Sequence, residues 1–446
     1  MNSGAAGRLL TLAALVAAGL AIVMVQMDVP FLELITGEAS APTTPSGVER
    51  LAKDLASPDV MRRLEVTRLI GMSTGAALPA AIDPLRRALK DRDNSVRSQA
   101  IRALATMGEP ARAAVPELVP LLAVQDPAVG YRALKLLEAL LDRTTARKEL
   151  PDLLQLAISQ PTSHAGQLVG TLAPDDVIPL LSPSIRVGDP ALRAAAIHLA
   201  GRFGRRGAEA VPALIEALES PEPAVALAAA ESLGEVAAGE PAVRALGRAL
   251  ENPSQDVRWR SASALEQIGP AAAAALPALR THLQDPAEYV RICSARAMGV
   301  VSGKREEAAK FLVDELTTSA SPYVWQAIPA LADLGVVNPA IIDIIVKRLP
   351  EGSERDCGIS PEASRALAKL GKRAERALPP LERTLVHPCA WARVEAARAI
   401  HAIGGAGTIQ WQSVLRLAGN DGGLRELVSE LTGPPAAREG AASPGR

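Results

Sequence analysis

Six glycines, Gly108, Gly204, Gly269, Gly335, Gly371 and Gly404, close similar segments of this 446-residue chain, at separations of 96, 65, 66, 36 and 33 residues that fall near multiples of about 33. Eight residues after four of them stands a proline: Pro116, Pro212, Pro277 and Pro379. A third series precedes the segments as Ser57-Pro58, Asp126-Pro127, Asp189-Pro190, Asn252-Pro253, Asp285-Pro286 and Ser321-Pro322. Three landmark series sharing one period mark a tandem repeat, which overrides any estimate of domain number from length.

Each landmark has a structural meaning. Ser, Asp or Asn accepts hydrogen bonds from the orphan amides of a helix start, and a proline just inside loses no needed donor. Apolar or small residues then recur at i, i+4, i+7 and i+8: Val96, Ala100, Ala103 and Leu104; Leu192, Ala196, Leu199 and Ala200; Val257, Ser261, Ala264 and Leu265; Val290, Ser294, Ala297 and Met298. That spacing is one face of an α-helix. Glycine ends this first helix in a left-handed turn. The later proline opens a second helix with leucines at +2 and +6, as at Leu118 and Leu122 or Leu214 and Leu218. Two short helices cannot bury their apolar faces alone, so successive units must stack. The expected fold is all-α, an α–α superhelix of about ten or eleven units over residues 48–432. Residues 159–188 read as a degenerate unit ending in a Pro/Ser/Gly loop, and residues 433–446 as a disordered tail.

Segments such as Asn94 to Leu122 (NSVRSQAIRALATMGEPARAAVPELVPLL) and Val187 to Leu218 resemble HEAT repeats, of the bacterial HEAT-like group that includes phycobilin lyase subunits. The resemblance spans most of the chain and implies a solenoid scaffold for binding other proteins. It also implies that the basic residues at one register, Arg97, Arg193, Arg258, Arg291 and Arg393, form a structural ladder with aspartates and carbonyls between units. On activity it is nearly silent, because fold does not dictate function.

The N-terminus stands outside the repeats. From Leu9 to Met27 there are 19 uncharged residues, enough helix to span roughly 28 Å, the thickness of a bilayer core. Residues 1–8 before it carry Arg8, whereas Asp28, Glu33 and Glu38 follow, so a retained anchor places residues 1–8 in the cytoplasm and the repeats on the extracytoplasmic, periplasmic side. A cleaved signal peptide is the rival, but Val23 to Met27 offers no small-residue cleavage site. Residues 28–47 include a short polar, Pro-containing linker.

With 48 Lys and Arg against 49 Asp and Glu, the net charge of −1 argues against a nucleic-acid binder held by a basic face. Neither H-E-x-x-H, Walker A nor G-x-G-x-x-G occurs, so no catalytic residue, cofactor or small-molecule substrate is nominated. Among three cysteines, Cys293 reads as a buried small hydrophobe. Cys357 and Cys389, one repeat apart, are a candidate disulfide: stacked loops are far apart for one, while an extracytoplasmic site favours it. Cys357, His387 and Cys389 lack metal-site spacing.

Aromatics are only 2% of the chain, which makes their placement informative. Trp259, Ile292 and Trp325 hold one register, two residues after the buried first-helix position. That is a rotation of about 200°, away from the core seam. They form either a partner-binding stripe or the flank of a wide buried face. The reading that follows is a membrane-anchored, non-catalytic scaffold for another protein, with a lyase-type or accessory enzyme as the alternative that the resemblance leaves open.

Overall fold

The structure, a computed structural model, describes residues 41–236, 239–318, 326–349 and 360–404, together with isolated positions between 422 and 429. Every described regular element is helical. The described residues fall into two compact units, Met1–Phe203 and Gly204–Arg446.

In the first unit, α1 (Pro45–Ala52), α2 (Val60–Gly71), α3 (Leu78–Ala88), α4 (Asn94–Met107), α5 (Val115–Leu118) and α6 (Pro127–Leu140) alternate as second and first helices of successive repeats. First helices pack on first helices, α2 on α4 and α4 on α6, while α1 packs on α3. Val96, Ala100 and Leu104 are fully buried, as their spacing requires. Four more helices complete the unit: α7 (Arg143–Ser159), α8 (Ala165–Thr171), α9 (Pro174–Arg186) and α10 (Pro190–Gly201).

The second unit repeats the scheme with α11 (Val211–Leu218), α12 (Pro223–Val236), α13 (Glu240–Ala249), α14 (Gln255–Ile268), α15 (Leu276–Thr281), α16 (Glu288–Ser302) and α17 (Arg305–Thr318). It continues through α18 (Ala327–Leu334), α19 (Pro339–Val346), α20 (Ser360–Leu370), α21 (Leu378–Thr384) and α22 (Ala390–Gly404). Here α12, α14 and α16 pack in series, as do α20 and α22.

The interval between the closing glycine and the second-helix proline is helical rather than a loop. Glu109–Ala114, Gly269–Ala275 and Gly371–Ala377 are 3₁₀ stretches. Ala111 and Ala114, Ala272 and Ala275, and Ala374 and Ala377 are buried three residues apart, which is the 3₁₀ period. Gly108 has φ 65° and Gly269 φ 73°, values that a side chain would strain.

Two expectations are corrected. The Pro/Ser/Gly loop expected from Ser182 is helix as far as Arg186, despite Pro179 and Pro183, because Val177, Ile178, Leu181 and Ile185 bury one continuous face. Leu192, expected in the core, is 42% exposed in the first turn of α10. The expected anchor (residues 9–27), its flanks (1–8 and most of 28–47) and the tail (433–446) lie outside the described residues. No described helix is long and apolar enough to cross a membrane.

Candidate interaction surfaces

The X-Pro dipeptides prove to be seats for arginines. Among the described dipeptides only Asp126 and Asp189 act as expected, capping helices whose first residue is the proline, while Ser321-Pro322 lies outside the described residues. Ser57, Asn252 and Asp285 stand two residues before their N-caps and accept from the backbone N–H of Asp59, Ser254 and Ala287 respectively. Proline forces the residue before it into extended backbone and has no N–H of its own, so the dipeptide's carbonyls turn outward. Arg63 Nη1 donates to the carbonyls of Ser57 and Pro58 at 3.0 and 3.2 Å. Arg258 Nη1 does the same at Asn252 and Pro253, at 3.0 and 3.1 Å, and Arg393 Nη1 at His387 and Pro388, at 2.6 and 2.9 Å.

The opposite edge of the guanidinium reaches the next repeat. Arg63 holds Asp91 through Nε and Nη2 at 2.7 and 3.0 Å, and Arg258 holds Asp285 at 2.8 and 2.9 Å. Arg291 makes the same fork within its own repeat, with Glu315 of the second helix α17, at 3.0 and 2.9 Å. Burial pushes Asp91 and Asp285 upward, but the hydrogen bonds from Arg63 and Arg258, helped by backbone amides, outweigh it and hold both carboxyls below the usual range. The hydrogen bonds that Arg63 donates to Asp91 in turn raise its own pKa. Arg193 Nε donates to the carbonyl of Ile185 at 3.1 Å, in the last turn of the preceding helix α9. Arg97 Nη1 donates to the carbonyl of Asp91, and its Nη2 contacts Asn94 Oδ1.

In the aromatic register, Trp259 is half-buried. Its ring lies 5.1 Å from that of Tyr289, under the Arg260 guanidinium at 4.3 Å, and its Nε1–H donates to Asp256 Oδ1 at 3.2 Å. Ile292 is only 2% exposed, so it cannot belong to an outward stripe. The neighbouring first helices close over this flank of α16, covering a branched aliphatic side chain where the larger indole at 259 still emerges. Trp325 lies outside the described residues. Among the described residues the exposed aromatics are Tyr131, Tyr289 and Trp391; the last two each stand two residues before a ladder arginine, and Arg365 covers Trp391 at 5.1 Å.

A HEAT-repeat family profile matches residues 48–138, 178–251 and 243–332. This chain belongs to the HEAT-repeat family. No curated protein sequence matches it significantly. Among solved structures, a karyopherin bound to the extreme C-terminus of a protein phosphatase is 16% identical with a TM-score of 0.49, covering 86% of this chain and 48% of the karyopherin. An engineered protein is 22% identical with a TM-score of 0.30, covering 80% of this chain and 98% of that one. The complex of CpcE and CpcF of phycocyanin lyase from Nostoc is 20% identical with a TM-score of 0.33, covering 78% and 96%. The chain spans about half the length of the karyopherin, and scores below one half say nothing of what it binds.

A second row of cations on these HEAT units escaped the sequence reading. Arg296 joins Glu266 of the preceding first helix at 2.6 Å to Asp333 of the following one at 3.3 Å, and Lys369 also pairs with Asp333. Burial pushes Glu266 above the usual carboxylate range despite Arg296. Counting five residues onward from Arg63, Arg97, Arg291 and Arg393 finds Arg68, Arg102, Arg296 and Arg398, and Arg63 itself follows from counting four past the cap Asp59. Cys293 is buried, and that burial pushes its thiol up to about 11, so it is a packing residue and no nucleophile. Cys389 is disulfide-bonded; Cys357 lies outside the described residues.

Proposed function

We propose that this chain is a non-catalytic HEAT-repeat scaffold, held at a membrane by residues 9–27, that binds another protein on the extracytoplasmic side. The observation that supports this best is the series of stacked first helices, cross-tied by buried ion pairs, which carry aromatic and charged side chains outward at fixed spacing. A surface that need not reorganise loses little entropy on association. Trp259, Tyr289 and Arg260 supply the residue types that anchor protein interfaces, and Tyr289 takes the place first given to Ile292. Trp325 shares the register of Trp259 and is proposed as a contact with it.

In-cell cross-linking combined with membrane fractionation tests both halves of the reading. The protein is expected in the membrane fraction with a reproducible partner, and Trp259→Ala with Trp325→Ala is expected to cut partner recovery at least tenfold while leaving helicity intact. An unchanged set of cross-links in that variant overturns the surface assignment.

A further inference from the structure

The arginine ladder lacks its carboxylate at Arg97, and Arg97 lines a cavity. Where a ladder arginine reaches the next repeat, its aspartate stands two residues before the N-cap of that repeat's first helix: Asp91 before the cap Asp93, and Asp285 before the cap Ala287. The corresponding position for Arg97 precedes the cap Asp126, and it is Val124. The Nε and Nη2 edge that carries a carboxylate in Arg63 and Arg258 therefore has only the Asn94 side-chain oxygen on Nη2, while Nε is buried with no partner. A guanidinium nitrogen withdrawn from water without an acceptor is costly, and native proteins rarely leave one so.

Arg97 lines a cavity of about 520 Å³ whose other walls include Leu89, Pro116, Pro120, Leu121 and Val124. The two carboxylates at this cavity are already engaged. Asp91 is forked by Arg63, and Glu117 is forked by Arg86 at 3.0 and 3.0 Å, with Lys90 at 3.4 Å. Arg97 is thus the cation here that no carboxylate balances. We propose that this cavity receives a segment of a protein partner in which an Asp or Glu, flanked by aliphatic side chains, supplies to Arg97 the carboxylate that the repeat itself omits. The leucine and proline walls take the aliphatic neighbours, and the carboxylate sets the register. This inference rests on the scaffold reading and names the chemistry of what is bound.

The probe is N-acetyl-Leu-Asp-Leu-amide, with N-acetyl-Leu-Asn-Leu-amide as its neutral twin, observed by saturation-transfer difference NMR on the full-length protein. Saturation transfer is expected to the leucine methyls of the aspartyl peptide, with binding at least tenfold weaker for the asparaginyl twin. Val124→Asp completes the ladder internally, so it is expected to fold at least as stably as the parent and to weaken the aspartyl peptide at least tenfold. Val124→Thr, nearly isosteric and uncharged, is expected to retain binding. Equal binding of the two peptides, or undiminished binding to Val124→Asp, overturns the proposal. The scaffold reading is judged separately by cross-linking: a partner still captured there while neither peptide binds here removes this site and leaves that reading standing.

Discussion

Arg258 and Asp285 are both largely withdrawn from water, with side chains 12% and 3% exposed, so neither can be removed without stranding the other. Arg258→Ala or Asp285→Ala is expected to cost roughly 3–5 kcal/mol in urea denaturation. Arg62→Ala, which breaks a pair exposed on both sides with Asp54, should cost less than about 1 kcal/mol. The same pairs determine the response to acid. Asp91 and Asp285 have folded-state pKa values below their unfolded ones, so between the two values the unfolded chain binds more protons. Their contribution is complete above the unfolded pKa and is lost as pH falls through the folded one. Glu266 runs the other way: raised by burial, it withdraws stability as pH rises through its titration. Thermal melts from pH 7 down to pH 3 should therefore show a shallower acid loss in Asp91→Asn with Asp285→Asn, and a steeper one in Glu266→Gln.

At the scale of helices, close approach is bought with small residues. A Cβ at Gly71 would lie 2.4 Å from the Cβ of Ala103, so α2 and α4 touch at that point. Gly71→Ala is expected to destabilise the fold by about 1–3 kcal/mol, the usual cost of overpacking. Adding Ala103→Gly should return much of it, a coupling that denaturation of the two single variants and the double variant measures directly. The first-helix pattern was legible in the sequence because Val96, Ala100 and Leu104 contrast with polar neighbours at the helical period. The 3₁₀ stretches were not, since a run such as Gly269–Ala275 has no polar contrast from which to read a period of three. Ile292 was misplaced for a different reason. The angle from the core seam treats a helix as packed on one side, whereas α16 contacts α14, α17 and α18. At the candidate cavity, the arginine register was visible. The missing acid was not, because Val124 becomes an anomaly only once the carboxylates facing Arg63 and Arg258 are located.

For the whole chain, the proposed anchor and the cysteines make one joint claim about compartment. A protein retained by residues 9–27 with its repeats outside the cytoplasm meets an oxidising environment, where a disulfide persists; the cytosolic thiol pool would reduce it. Cys389 is disulfide-bonded and Cys293 is a buried free thiol, which leaves Cys357 as the third cysteine of the chain. Peptide mapping of the protein isolated from membranes without reductant, with free thiols blocked at lysis, should recover a fragment joining Cys357 to Cys389 and an alkylated Cys293 only after unfolding. Carbonate washing should leave the protein in the membrane fraction, and deletion of residues 1–40 should release it and, by confining it to the cytoplasm, return Cys389 to the thiol state. Membrane-bound protein with Cys357 and Cys389 both alkylated would place the repeats on the reducing side and reverse the orientation, because the bilayer separates the two compartments and a single apolar helix can face the repeats toward only one of them.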